Sequence, residues 1–61
     1  MKKTRFELFK SEDNSQWYFR LIAKNGRIIC QSEGYTRKSN ALNGIRSVKK
    51  NAAKAKIEEL W

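Results

Sequence analysis

The chain has no histidine and no proline, a single cysteine, three glycines and only six acidic residues in 61 positions. Each shortage excludes something. One thiol cannot close an internal disulfide, and without histidine there is no Cys/His set of the spacing that binds zinc. The lone Cys30 also lacks the imidazole that would activate it as a nucleophile. Three scattered glycines form neither a P-loop nor a dinucleotide fingerprint. No apolar run approaches the roughly 18 residues of a spanning helix. After Met-Lys-Lys-Thr-Arg the residues Phe6 to Asp13 alternate with charges, so no export signal is expected there. A reducing, cytoplasmic setting is the expectation for a chain with one free thiol.

What is abundant is positive charge. Fourteen Lys and Arg against six Asp and Glu give a formal net charge of +8, which draws a small domain toward polyanions. The charge is unevenly placed. Glu12-Asp13 and Glu58-Glu59 hold four of the six acids, while Gly34 to Ile57 contains seven basic residues and no acid. Sixty-one residues make one domain, and a chain of this size buries only about 60% of its unfolded surface. Small folds offset that shortfall with disulfides, a metal or oligomerisation. The composition leaves oligomerisation.

Alternating polarity predicts three strands. The first is about 5–10, where Phe6 and Leu8 alternate with Glu7. A polar loop follows from Ser11 to Ser15, made of residues whose side chains favour turns. The second strand is about 16–24 and the third about 27–33, joined at Asn25-Gly26, which suits a two-residue type I′ hairpin. That turn would set Ala23 opposite Ile28, Ile22 opposite Ile29 and Leu21 opposite Cys30. One face then carries Phe6, Leu8, Trp17, Phe19, Leu21, Ala23, Ile28 and Cys30 as the core, with Cys30 a buried, inert thiol. The other carries Glu7, Phe9, Tyr18, Arg20, Ile22, Lys24, Arg27, Ile29, Gln31 and Glu33.

A helix is predicted over about 37–51, with Thr36 as its N-cap. At about 100° per residue, Ala41, Ile45, Val48 and Ala52 form one stripe flanked by Leu42 and Gly44, which would lie on the sheet. Gly44 would let the helix approach the strands closely. Ser39, Asn43, Arg46 and Lys50 take the opposite side. The tail from Ala53 to Trp61 reads as helix or as strand, with helix slightly favoured by its Ala, Lys and Glu.

Several segments together carry a resemblance: Arg5 to Lys10, Trp17 to Leu21, Asn25-Gly26, Ser32-Glu33-Gly34-Tyr35, Asn43-Gly44-Ile45 and Val48-Lys49-Lys50-Asn51-Ala52. Over nearly the whole chain the sequence resembles the YegP-like family of small domains of unknown function. The resemblance implies an α+β fold of order βββαβ: a three-stranded antiparallel meander, one helix packed on it and a C-terminal strand, here about 55–60. It further implies that a single-copy member forms a homodimer by exchanging that strand, with Ile57, Leu60 and Trp61 as the exchanged apolar residues. The family supplies no catalytic residue to carry over.

The expectation for function is a non-enzymatic homodimeric binding or structural module that uses no cofactor, metal or membrane. The alternative is a small basic protein that binds nucleic acid, with Arg20, Lys24, Arg27, Arg46 and Lys50 as candidate polyanion contacts. The paired acids Glu12-Asp13 and Glu58-Glu59 read as solvated carboxylates, not as an acid/base pair. The ribonucleoprotein signature of a basic residue, glycine and aromatic in sequence is missing from Asn25-Gly26-Arg27-Ile28-Ile29.

Overall fold

A computed structural model describes residues 3–60. The chain forms β1 (Arg5–Lys10), β2 (Trp17–Ile22), β3 (Ile28–Gln31) and α1 (Lys38–Ala52). The strands make one antiparallel sheet in the order β1-β2-β3, as the alternating pattern predicts.

The β1-β2 register sets Phe6 opposite Leu21 and Leu8 opposite Phe19 on one face, with Glu7 opposite Arg20 and Phe9 opposite Tyr18 on the other. The intervening loop is tied by its own polar groups: the Ser15 amide donates to the Ser11 carbonyl at 3.0 Å, and the Gln16 amide to Asn14 Oδ1 at 3.0 Å. Ser15 closes it with φ 58°, a left-handed conformation that costs a residue with a Cβ.

The β2-β3 hairpin differs from its predicted form. Gly26 has φ 88°, but Asn25 does not share a positive φ, as a type I′ turn would demand. Instead the Gly26 amide donates to the Ala23 carbonyl and the Ala23 amide to the Arg27 carbonyl, both at 2.8 Å. This is a three-residue loop ending in a left-handed glycine. It sets Ile28 opposite Ile22, and a bulge then restores Leu21 opposite Cys30 and Arg20 opposite Gln31. The extra residue in the turn is thus offset by an extra residue, Ile29, in β3. Ile28 consequently lies on the face of Ile22, not on the predicted core face. Ile22, expected on the outer face, is 4% exposed; it lies in the central strand with Arg5 on one side and Ile28 on the other.

The helix starts one residue later than predicted. Arg37 is its N-cap, with φ −124° and ψ 142°, and no side chain caps the first turn. Thr36 therefore does not serve as the cap. Lys49 and Lys50 occupy the last turn, where a positive charge suits the helix dipole. The helix packs across β2 and β1 and does not reach β3. Ala41 is fully covered, with Leu42, Gly44, Ile45 and Val48 half-buried beside it.

Below the helix the Phe6 and Phe19 rings meet edge to face at 6.0 Å, and Phe19 stacks on Tyr35 at 6.2 Å. Tyr35 is held there by paired backbone bonds with Trp17 of 2.7 and 2.8 Å. Gly44 lies directly over these rings: a Cβ there would stand 2.7 Å from the Tyr35 hydroxyl and 2.9 Å from Phe19 Cε2. The close approach expected of Gly44 is present.

Among the described residues only Phe19, Ile22 and Ala41 are buried. Beyond Ala52 the chain turns once, and 55–60 form no strand and touch no other element of the single chain closely enough to bury a side chain.

Candidate functional site

Two uncovered surfaces and one charged face distinguish the domain. The first surface is β3. Because α1 stops short of it, all four of its residues are exposed, with Ile28 at 56% and Ile29 at 58%. Cys30 is exposed as well, contrary to the buried thiol expected. Its pairing with Leu21 is as predicted, but the helix that would cover that side of the strand lies over β1 and β2. The second surface is the tail, where Ile57 is 94% and Leu60 88% exposed. Trp61, predicted to act with them, lies outside the described residues.

The outer face of the sheet carries an ordered cluster. Glu7 sits between two guanidinium groups, with Arg5 Nη2 at 3.0 Å from Oε2 and Arg20 Nη2 at 3.0 Å from Oε1. The hydrogen bond from Arg20, followed by that from Arg5, holds the Glu7 carboxyl below the ordinary glutamate range against the opposing effect of desolvation. The Arg20 guanidinium also lies 4.9 Å from the centre of the Phe9 ring, and Phe9 stacks on Tyr18 at 6.0 Å. Asn14 Nδ2 donates to the Tyr18 hydroxyl at 2.8 Å. Glu7 with Arg20 and Phe9 with Tyr18 are cross-strand pairs of the kind that stabilise a hairpin.

The five residues predicted as polyanion contacts do not form one patch. Arg20 belongs to the Glu7 cluster, on the face of the sheet away from α1. Lys24 is the first residue of the β2-β3 loop and Arg27 follows it. Arg46 and Lys50 are exposed on α1, whose opposite side lies against the sheet. Spacing along the chain identified residues that face solvent but could not say that they face opposite ways.

Among the described residues no group of three or more Cys, Asp or Glu side chains could hold a metal. A shallow dent is lined by Thr4, Ala23, Lys24 and Asn25, none of which is a carboxylate, thiol or imidazole. No described helix is long and apolar enough to cross a membrane.

The profile of a family described as a domain of unknown function (DUF1508) matches residues 12–59. The chain belongs to this family. Among DUF1508 relatives, a UPF0339 protein from Treponema denticola is 43% identical over 56 residues, covering 92% of this chain and 95% of its own. The UPF0339 protein YegP of Yersinia pestis is 45% identical over 51 residues, 84% of this chain but 46% of its own length. The YegP-like resemblance read from the sequence is therefore correct. A solution structure of a protein from Haloferax volcanii superposes with a TM-score of 0.82 and 39% identity, covering 98% of this chain and 100% of that one. The DUF1508 family is one of unknown function, and no catalytic assignment accompanies these relatives.

Proposed function

We propose that the domain is a non-enzymatic homodimeric binding or structural module, each copy completed by the tail of the other. The observation that carries this reading is an excess of surface. A compact monomer of 7.2 kDa is expected to expose about 4,100 Å². The single chain exposes 5501 Å², so about 1,400 Å² per copy is in excess, more than the roughly 800 Å² per partner of a standard stable interface.

The excess has a location. The β3 edge offers unpaired backbone groups and exposed Ile28, Ile29 and Cys30, and the tail supplies Ile57 and Leu60. Apolar residues of this kind are seldom left in water unless they meet a partner. In our reading residues 56–61 of one copy extend along β3 of the other, adding a fourth strand by edge pairing. The tail forms no strand alone because an isolated extended segment has no hydrogen-bond partner. The relative YegP, matched over only 46% of its length, is long enough for two such domains in one chain. A covalent pair would meet the same need as a dimer.

The sequence holds no histidine to activate the exposed Cys30, which supports a non-enzymatic role. A single free thiol in an exposed strand fits a reducing, cytoplasmic compartment.

Light scattering at micromolar concentration tests the dimer. The expected mass is twice the 7.2 kDa of one chain. A folded species at the mass of one chain overturns the proposal.

A further inference from the structure

The solvent face of α1 is a one-sign electrostatic surface. Arg46 and Lys50 are exposed on it beside Ser39, Asn43 and Ser47, while Lys38 and Lys49 are exposed along its edge next to the apolar stripe, Lys38 with its Nζ 5.7 Å from the centre of the Trp17 ring; Lys54 follows just past the helix. No acid occurs from Gly34 to Ile57. Both ion pairs among the described residues use Glu7, on the far side of the sheet. Among the described residues no helix cation forms an ion pair. Their placement has a stability cost as well: the first turn has no acidic residue, where the helix dipole favours negative charge.

Three chemistries could answer such a face: a membrane surface, an acidic protein or a nucleic-acid backbone. A helix that lies on a membrane places apolar side chains beside its cations. Here the apolar stripe of Ala41, Ile45 and Val48 is turned onto the sheet, and Lys, Arg, Ser and Asn occupy the free face. An acidic protein interface is built around aromatic and apolar anchors, whereas the groups nearest these cations, Trp17 under Lys38 and Leu42, are half-buried in the fold. Phosphate contacts are made by Lys and Arg together with Ser and Asn side chains, the composition found here. From Lys38 to Lys50 the cations span about 18 Å of helix axis, enough to cross a duplex major groove of about 12 Å. Arg46 is held outward by its 3.1 Å hydrogen bond to Asn43 Oδ1.

We propose that the exposed face of α1 binds the phosphate backbone of duplex nucleic acid through Lys38, Arg46, Lys49 and Lys50, without reading base sequence. This narrows the earlier set of five candidates. Arg46 and Lys50 belong to the surface, whereas Arg20, engaged by Glu7, and the hairpin residues Lys24 and Arg27 do not. The inference does not rest on strand exchange, since the exchanged tail is assigned to β3, which α1 does not reach.

The test is fluorescence anisotropy with a labelled random-sequence DNA duplex between 50 and 200 mM salt. Four phosphate contacts per domain predict a fall in affinity of about 150-fold over that range, and two contacts about 12-fold. The double variant Arg46→Gln/Lys50→Gln should show the smaller fall and weaker binding at 50 mM. Lys24→Gln/Arg27→Gln removes the same charge from the hairpin and should retain the steep fall; circular dichroism confirms that both variants are folded. Equal losses in the two variants would mean net charge alone attracts the duplex, and the proposal fails. No binding by the parent protein at 50 mM also overturns it, as does tighter binding to anionic vesicles than to the duplex.

Discussion

Replacing Gly44 with alanine sets two opposing effects against each other. Alanine is about 1 kcal/mol better than glycine inside a helix, so an exposed Gly44 would make the change stabilising. The added methyl, however, would stand 2.7 Å from the Tyr35 hydroxyl and 2.9 Å from Phe19 Cε2, closer than carbon atoms tolerate. Phe19 is 4% exposed and packed between Phe6 and Tyr35, so its ring has little room to retreat and the helix must lift instead. Overpacking of this kind costs about 1 to 3 kcal/mol, and lifting the helix also uncovers Ala41. The balance predicts a net loss of about 1 kcal/mol, read from urea denaturation at fixed protein concentration, because association would also shift the midpoint. Tyr35→Phe removes the nearest atom but leaves Phe19, so in the double variant the cost of Gly44→Ala should shrink without vanishing. A Gly44→Ala protein more stable than the parent would refute the claim that this glycine sets the helix-to-sheet distance.

Other perturbations test other parts of the structure. Arg37→Asp supplies a capping side chain to a helix start that has none and replaces a cation unfavourable there; a gain of about 1 kcal/mol is expected in the same denaturation assay. Ser15→Gly relieves the left-handed backbone at φ 58° and should stabilise by a few tenths to about 1 kcal/mol. Glu7 titrates below its ordinary range through Arg20 and then Arg5, so its contribution to stability is present above the unfolded glutamate value near 4.3 and is lost as pH falls through the lower folded value. Carboxyl NMR titration should show that depressed value, and Arg20→Gln should move it upward. Deleting 56–61 should abolish dimerisation and raise the alkylation rate of Cys30, read by mass spectrometry; a truncated chain that keeps its dimer would show that the tail is not exchanged.

Much of the fold is legible because it rests on local periodicity. Two-residue alternation in Phe6 to Phe9 and Trp17 to Ile22 locates the strands, and the Ala41, Ile45, Val48 stripe locates the helix face. The errors arise where a decision depends on neighbours distant in sequence. Asn25-Gly26 correctly marks a turn, but a two-residue and a three-residue loop both use a left-handed Gly26; which forms depends on whether β3 can absorb a bulge at Ile29. Thr36 has the chemistry of a cap, yet the Trp17 to Tyr35 bridge carries the chain past it so that the helix begins after Arg37. Cys30 pairs as expected and is still exposed, because alternation says which side a residue takes and not how far the helix extends over that side. The candidate basic residues share this difficulty. Their solvent exposure follows from spacing, but the separation of Arg20 from Arg46 and Lys50 follows from where α1 packs.

The central claim is that two copies complete each other through 56–61. Its most direct measurement is an isotope-filtered NOE experiment on a dimer assembled from labelled and unlabelled chains, observing the Ile57 and Leu60 methyl groups. Contacts from those methyls to Ile28, Ile29 or Cys30 of the other copy are predicted. Tail methyls with no intermolecular contacts, or with contacts only within their own chain, would contradict the account.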